Sequence, residues 1–401
     1  MSLQKIESTN AMTLPTYTPI EMIDRLVSFD TTSRNSNLEL INFVTEYLSA
    51  HGIESQRMYD AGNKKANLFA TVGPNTKGGI VLAAHTDVVP VDGQEWHSNP
   101  FSMTLKNDKL YGRGTSDMKS FPAIFLSMLP QFMAADLHTP IHLALSYDEE
   151  VGCLGAPQLV SLMKDLRISP RIVIIGEPTE MKIVNRHKGV FRYRTTANGL
   201  EAHSAYPDSG VSAIFHTANA IHFLDNLAND LRDRADGLGN FDPPYHTLHI
   251  GTLNGGTASN IVPRHCAFDW EARLIPGSDV NSLVLNPFED YLDKHVRPKM
   301  HAISKQTGIA TETVVQVPGL SPGENRDSEA LGRALSGHNG PAGAISFGTE
   351  AGLFQHAGFA TLVCGPGSIL QAHKPNEYIQ LEQVEACERF MHRLISQLSR
   401  T

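Results

Sequence analysis

Four cysteines in 401 residues (Cys153, Cys266, Cys364 and Cys387) leave little room for sulfur chemistry. No two of them form a CxxC pair, which argues against a thiolate zinc site and points to a reducing compartment. Positive charge is also in short supply, with 33 Lys and Arg against 42 Asp and Glu and a net charge of −9. That balance speaks against nucleic acid or an acidic membrane surface as a partner. No apolar run approaches the length of a membrane span. The polar start through Thr18 lacks a basic stretch followed by an apolar one, so we expect no leader peptide and a cytoplasmic chain. Nucleotide and serine-nucleophile motifs are missing as well. In "GTSDMKS" (114–120), Met118 stands where a phosphate loop needs glycine before its lysine. "GLSPG" (319–323) fits the G-x-S-x-G string, but Pro322 has no N–H for an oxyanion hole.

What the chain does have is a change of style along its length. Apolar residues at helical spacing run through 20–29 and 38–52, and short aliphatic runs follow at 67–73, 78–85, 140–147 and 171–177. Helical segments at 120–132 and 155–163 separate the later runs. Continuous apolar strands between helices predict an α/β sheet covered on both faces. From residue 189 the strands alternate instead, in the order β-α-β-β-α-β with helices at 211–232 and near 279–295. That order predicts a small, ferredoxin-like α+β unit. After Pro318 the α/β style returns, with a helix at 327–337, a strand at 359–365 and a last helix at 381–398. The expected organisation is one α/β domain (1–188 and 318–401) interrupted by an inserted one (189–317).

In an open α/β sheet, ligands bind beyond the carboxyl ends of the strands. Those ends carry most of the chemistry here. The run 78–84 leads into His85 and Asp87, 140–147 into Asp148, Glu149 and Glu150, 171–175 into Glu177, and 359–364 towards His373. "GRGTSDMKS" adds Asp117 at the start of a helix. Two imidazoles and several carboxylates without cysteine suit a hydrolytic site for zinc or a similar divalent ion. Such ions would also supply the charge that lets three adjacent carboxylates, 148–150, stay ionised together. In extended chain, residues two apart share a face, so Asp87 is expected to reach back to His85 and fix its tautomer. Glu149 and Glu150 would point different ways, one to a metal and the other to the proton of the attacking water. Among the eighteen histidines, His51, His142, His216, His222, His265 and His301 have no chemical neighbours and read as structural. His203, in "GLEAHSAYP", reads equally as a surface loop or as a functional residue.

Taken together, "HTDVVP", "GRGTSDMK", "DEE", "GEPT", "GLEAHSAYP" and "QAHKP" resemble the M20 family of two-zinc amidohydrolases and peptidases, from about residue 80 to the C-terminus. The resemblance implies a mixed-sheet catalytic domain and an inserted lid that joins two copies into a homodimer. It implies His85 and Glu177 on one zinc, Glu150 and His373 on the other, and Asp117 bridging, with Co2+ as an alternative metal. Glu149 would be the general base and Asp87 the residue that orients His85. His203 would reach the partner's active site and stabilise the oxyanion. Lys188, Asn260, Arg273 and Thr349 match positions near the substrate, a small acyl amino acid, although Arg273 reads equally as a lid salt bridge. Glu350 is assigned from charge alone, as a group that would attract a substrate ammonium. "IIGEPT", "HKG", "GGTASN", "TEAG" and "CGPGSILQAHKPNEY" are most similar to the branch that releases acetate from N-acetyl-L-ornithine in arginine biosynthesis. Succinyl-diaminopimelate desuccinylases, aminoacylases and metallocarboxypeptidases share the metal site and stay open as alternatives. An inactive metal-binding homologue is the rival of a different class. The base Glu149 beside a full ligand set speaks against it, because a structural zinc site keeps no open position.

Overall fold

The computed structural model describes residues 16–234, 241–323 and 326–399. The start of the chain that we read as leaderless lies largely outside these residues. Among the described residues, no helix is long and apolar enough to cross a membrane.

An eight-stranded mixed sheet organises the first and last parts of the chain. At its centre, Ile80–His85 lies between Ile141–Ser146 and Ile172–Pro178, parallel to both, and Thr361–Gly365 extends the parallel set beyond Ile172–Pro178. Ser55–Tyr59 and Ala66–Val72 continue it antiparallel on one side, and Val184–His187 and Gly343–Ile345 complete it on the other. The apolar runs are continuous because both faces are covered. Ile80, Leu82 and Ala84 face the helices Pro19–Val27, Ser120–Ser127 and Leu381–Leu398, whereas Val81 and Ala83 face the side of Ala156–Asp165 and Ala351–His356. Each fully buried Ile, Leu or Val among them contributes roughly 1.5–3 kcal/mol. The helix Ser120–Ser127 is buried on every side, which fixes the position of the turn that precedes it.

The segment 189–317 builds a second, four-stranded antiparallel sheet. Its order is Thr247–Gly255, His265–Leu274, Gly189–Asn198, Gly308–Val317, the ferredoxin-like arrangement expected from the sequence. Tyr193, Phe268 and Trp270 pack on Leu224 and Phe288 from its helices to form a separate core. The helix expected near 279–295 runs further, from Asn281 to Ile303, through alternating α and wider π turns. The short strands Ser55–Tyr59, Thr104–Lys106 and Lys109–Tyr111 were not anticipated, because most of their residues are not buried and carry no apolar run.

Close strand packing just behind the site yields a first prediction. A Cβ on Gly365 would lie 1.9 Å from the carbonyl oxygen of Gly176, in the neighbouring strand that carries Glu177. Backbone cannot rotate away, so Gly365→Ala should lower stability by about 3 kcal/mol. Gly308 has nothing within 4 Å of a Cβ, so Gly308→Ala should stay within about 0.5 kcal/mol. Thermal and denaturant unfolding of the two variants tests this, and equal midpoints would refute it.

Candidate metal centre and active site

The register of the parallel strands gathers the polar ends at one edge of the sheet. His85 pairs across from Ser146, so Asp148–Glu150 emerge beside it, and Ala83 pairs with Ile175, two residues before Glu177. Asp117 sits in the turn before Ser120–Ser127, and His373 in the loop after Thr361–Gly365. The expected metal-ligating residues therefore meet in three dimensions. His85 Nε2 lies 3.1 Å from Asp117 Oδ1 and 3.8 Å from Glu177 Oε1. Asp117 turns its other oxygen to His373 Nε2 at 3.4 Å, and the same nitrogen lies 3.1 Å from Glu150 Oε2. Asp117 thus stands between the two imidazoles, where a bridging ligand would stand. Two groups of donor atoms lie close enough to hold an ion: His85, Glu149 and Glu177, and His85, Asp117 and Glu150.

The three adjacent carboxylates have three different fates. Asp148 takes a left-handed backbone (φ 57°) and forms an ion pair with Lys65. Glu150 turns to His373. Glu149 faces the cavity, and the thiol of Cys153 donates to its Oε1 at 3.4 Å. The expectation of extended chain here does not hold. A tight turn closes with Gly152 N–H on the Glu149 carbonyl, and it is this turn that sends the two glutamates apart. Asp87 also differs from expectation in detail. His85 Nδ1 contacts the Asp87 carbonyl at 2.9 Å, while the Asp87 carboxylate lies 3.6 Å away. That carboxylate accepts from Ser33 Oγ (2.7 Å) and from the N–H groups of Glu149 (3.0 Å) and Glu150 (3.3 Å). It ties the glutamate turn to the histidine strand.

The electrostatics of this cluster are unbalanced. Lost hydration, opposed by His85 and reinforced by Glu150, pushes the Glu149 carboxyl well above the usual range. Lost hydration and the Asp117 charge do the same to Glu177. Burial disfavours a charged His85, yet its hydrogen bond to Asp117 and the charge of Glu177 hold its pKa well above normal. Hydrogen bonds to Asp117 and Glu150 raise His373 to about 10. Four carboxylates and two imidazoles converge, and among the described residues no Lys or Arg is ion-paired to any of them. This all-oxygen-and-nitrogen donor set, short of positive charge, fits divalent cations of the zinc type.

The sequence profile of peptidase family M20/M25/M40 matches residues 81–397. The chain belongs to that family. An acetylornithine deacetylase of Myxococcus xanthus is 35% identical over 93% of this chain and 96% of its own length. One from Proteus mirabilis is 33% identical over 95% and 96%. Among solved structures, an M20 family metallo-carboxypeptidase from Sulfolobus solfataricus superposes with a TM-score of 0.75 at 18% identity, over 96% of this chain and 99% of its own. Human carnosine dipeptidase 1 gives 0.70 at 16%, over 96% and 97%.

In this M20 chain Asp117, Glu149, Glu150, Glu177 and His373 line a cavity of about 120 Å³ whose opposite wall belongs to the second sheet. Val190, Val315, Val317, Phe347 and Ile369 make it apolar, and Arg192 and Arg273 make it cationic. Glu271 joins the two arginines, 2.8 Å from Arg273 Nε and 3.5 Å from Arg192 Nε. Arg273 is therefore both readings at once, a salt-bridged residue and a cavity wall. The other expected substrate contacts are not brought to the cavity. Lys188 is buried with its Nζ on the carbonyls of Pro243 and Tyr245, 2.8 Å each. Thr349 is fully buried, and Asn260 is exposed in the second body. Glu350 is 1% exposed, and burial pushes its pKa up to about 7, so it is poorly placed to attract an ammonium. His203 is exposed and does not line the cavity; its Nδ1 accepts from the Ala205 N–H at 3.0 Å. Sequence reasoning missed Arg192, Lys65 and Ser33. Only Arg192 had a local signal, as one of the outward positions of the alternating strand Gly189–Asn198.

Proposed function

We propose that the protein is a two-metal amide hydrolase that releases acetate from N-acetyl-L-ornithine, a step of arginine biosynthesis in the cytoplasm. The observation that carries this is the meeting of His85, Asp117, Glu150, Glu177 and His373 around Glu149, in a cavity walled by Arg192 and Arg273. Full-length similarity to acetylornithine deacetylases supports the substrate. Four free, buried cysteines accord with a reducing compartment.

His85 and Glu177 would hold one cation, zinc in the first instance, and Glu150 and His373 the other, with Asp117 between them. When bound, such a pair supplies positive charge that acidifies the attacking water and polarises the acyl carbonyl. Glu149 takes the proton from that water and hands it to the leaving amine. Asp87 keeps the glutamate turn in register with His85 through its two backbone contacts. Arg273 and Arg192 offer the cationic surface that the α-carboxylate of an acyl amino acid needs. The division into 1–188, 189–317 and 318–401 makes the middle segment a lid. We assign His203 to the active site of a second copy. Tyr206 (70% exposed), with its ring centre 6.2 Å from that of His203, and Ile261, bridged to His203, give it an apolar flank that a homodimer would cover.

The test is ornithine release from N-acetyl-L-ornithine by zinc-loaded protein beside a chelated sample. We expect chelator-sensitive turnover of about 10 per second or more. Turnover confined to succinyl-diaminopimelate, other acyl amino acids or dipeptides would transfer the same machinery to another M20 substrate. Two bound ions with no amide hydrolysis at all would sink the enzyme reading.

A further inference from the structure

His85 and Glu177 sit at the ends of paired strands, so the sheet itself holds them. Asp117, Glu150 and His373 sit on loops, and His373 is 55% exposed with a left-handed backbone (φ 63°). Asp87 holds the Glu150 turn, and a buried network holds the loops of Asp117 and His373. Glu377, 1% exposed, accepts three backbone N–H groups of the Asp117 turn on Oε1: Gly114 at 3.1 Å, Ser116 at 2.8 Å and Asp117 itself at 3.0 Å. Its Oε2 pairs with Arg113 Nη1 at 2.6 Å. Arg113, equally buried, reaches into the histidine loop through the Lys374 carbonyl (3.3 Å) and holds Gln94 Oε1 at 2.7 Å. Gln94 closes the circuit, its Nε2 donating to the carbonyl of His373 at 3.0 Å. Trp96 braces it by donating to Gln94 Oε1 at 3.1 Å and lying 5.1 Å from the Arg113 guanidinium.

A buried arginine–glutamate pair is a poor source of stability, because both ions lose their hydration. Its value lies in the geometry it imposes. Here the geometry links one loop carrying Asp117 to another carrying His373, and it touches neither His85 nor Glu177. We propose that Glu377, Arg113 and Gln94 are positioning residues that set the affinity of the cation site of Glu150 and His373, and act on the His85–Glu177 site only through the shared Asp117. This rests on the ligand assignment made above. A loop ligand displaced by a fraction of an ångström loses binding, whereas a strand ligand does not move.

The test uses the full chain, stripped of metal and titrated with zinc by calorimetry, with bound zinc counted by elemental analysis. Gln94→Ala removes the brace at a partly exposed position, and Glu377→Gln keeps size and an acceptor but removes the charge. Gln94→Ala, which acts through the His373 carbonyl, should bind one ion as the wild type does and the other 10- to 100-fold more weakly, the usual effect of losing a residue that supports a ligand, whereas Glu377→Gln should weaken both through the shared Asp117 turn. Metal-free thermal unfolding of each variant is recorded alongside. If Glu377→Gln does not fold, Gln94→Ala alone decides. Wild-type affinity at both sites overturns the proposal, and so does equal weakening of both by Gln94→Ala, which would mean a general structural role. Failure of the wild type itself to bind two ions would overturn the ligand assignment, and the proposal with it, and is read from a different sample.

Discussion

Glu149→Ala is expected to keep its full complement of bound cations while turnover falls by roughly two to four orders of magnitude, the usual contribution of a positioned proton acceptor. The expectation follows from how the three adjacent carboxylates divide their work. Asp148 is taken up by Lys65, and Glu150 by His373. Among the described residues Glu149 forms no ion pair within 4.0 Å; its hydrogen-bond neighbour is the Cys153 thiol, and it lines the cavity beside Asp117 and Glu177. In the metal-free chain, lost hydration and the carboxylate of Glu150 favour its protonated form. The five expected ligands do not depend on Glu149 for position, because the Asp87 carboxylate holds the turn by backbone N–H groups that alanine retains. Steady-state kinetics and metal analysis on one preparation test this. Turnover within a few-fold of wild type at full metal content would remove Glu149 from the chemistry. Loss of metal along with activity would make it a ligand instead, a reading the His85–Glu149–Glu177 grouping leaves available. Asp148→Asn serves as the control, and its effect should fall on stability through Lys65.

What could be read from the sequence follows from which forces are local. The central strands were legible because burial on both faces demands unbroken apolar runs, as in Ile80–His85 and Ile141–Ser146. Edge strands such as Ser55–Tyr59 carry no such demand and were not legible. The ferredoxin-like order showed itself through alternation, since one face of that sheet meets its helices and the other does not. Residues at strand ends were legible as a set, because parallel strands must end at one edge. Their supports were not. Lys65 reaches Asp148 from a distant loop, and Glu377 works through backbone N–H groups, which leave no mark on the residues they hold. Five substrate contacts were expected, four by resemblance and Glu350 from charge. Burial of Lys188, Thr349 and Glu350 cannot be read from a motif, and Arg273 alone of the five reaches the cavity wall.

His203→Ala should lower turnover about a hundredfold to a thousandfold, the loss typical of one oxyanion donor, and mixing two inactive variants should restore activity. In a single chain His203 is exposed and absent from the cavity wall, so from that position it cannot stabilise charge on the acyl oxygen. Two routes could bring it there: closure of its own lid, or delivery by a second copy. The exposed Tyr206 and Ile261 beside it favour the second, since closure over a polar site gives them no partner. A mixing experiment separates the routes. When His203→Ala and Glu149→Ala subunits are refolded together, a hybrid dimer pairs a chain with intact Glu149 and a chain with intact His203. Delivery across the dimer then builds a complete site in each hybrid. Random pairing gives hybrids half of the dimers with one competent site each, so about a quarter of wild-type activity should return. If His203 serves its own chain, no hybrid holds both residues at one site, and the mixture stays as inactive as its parts.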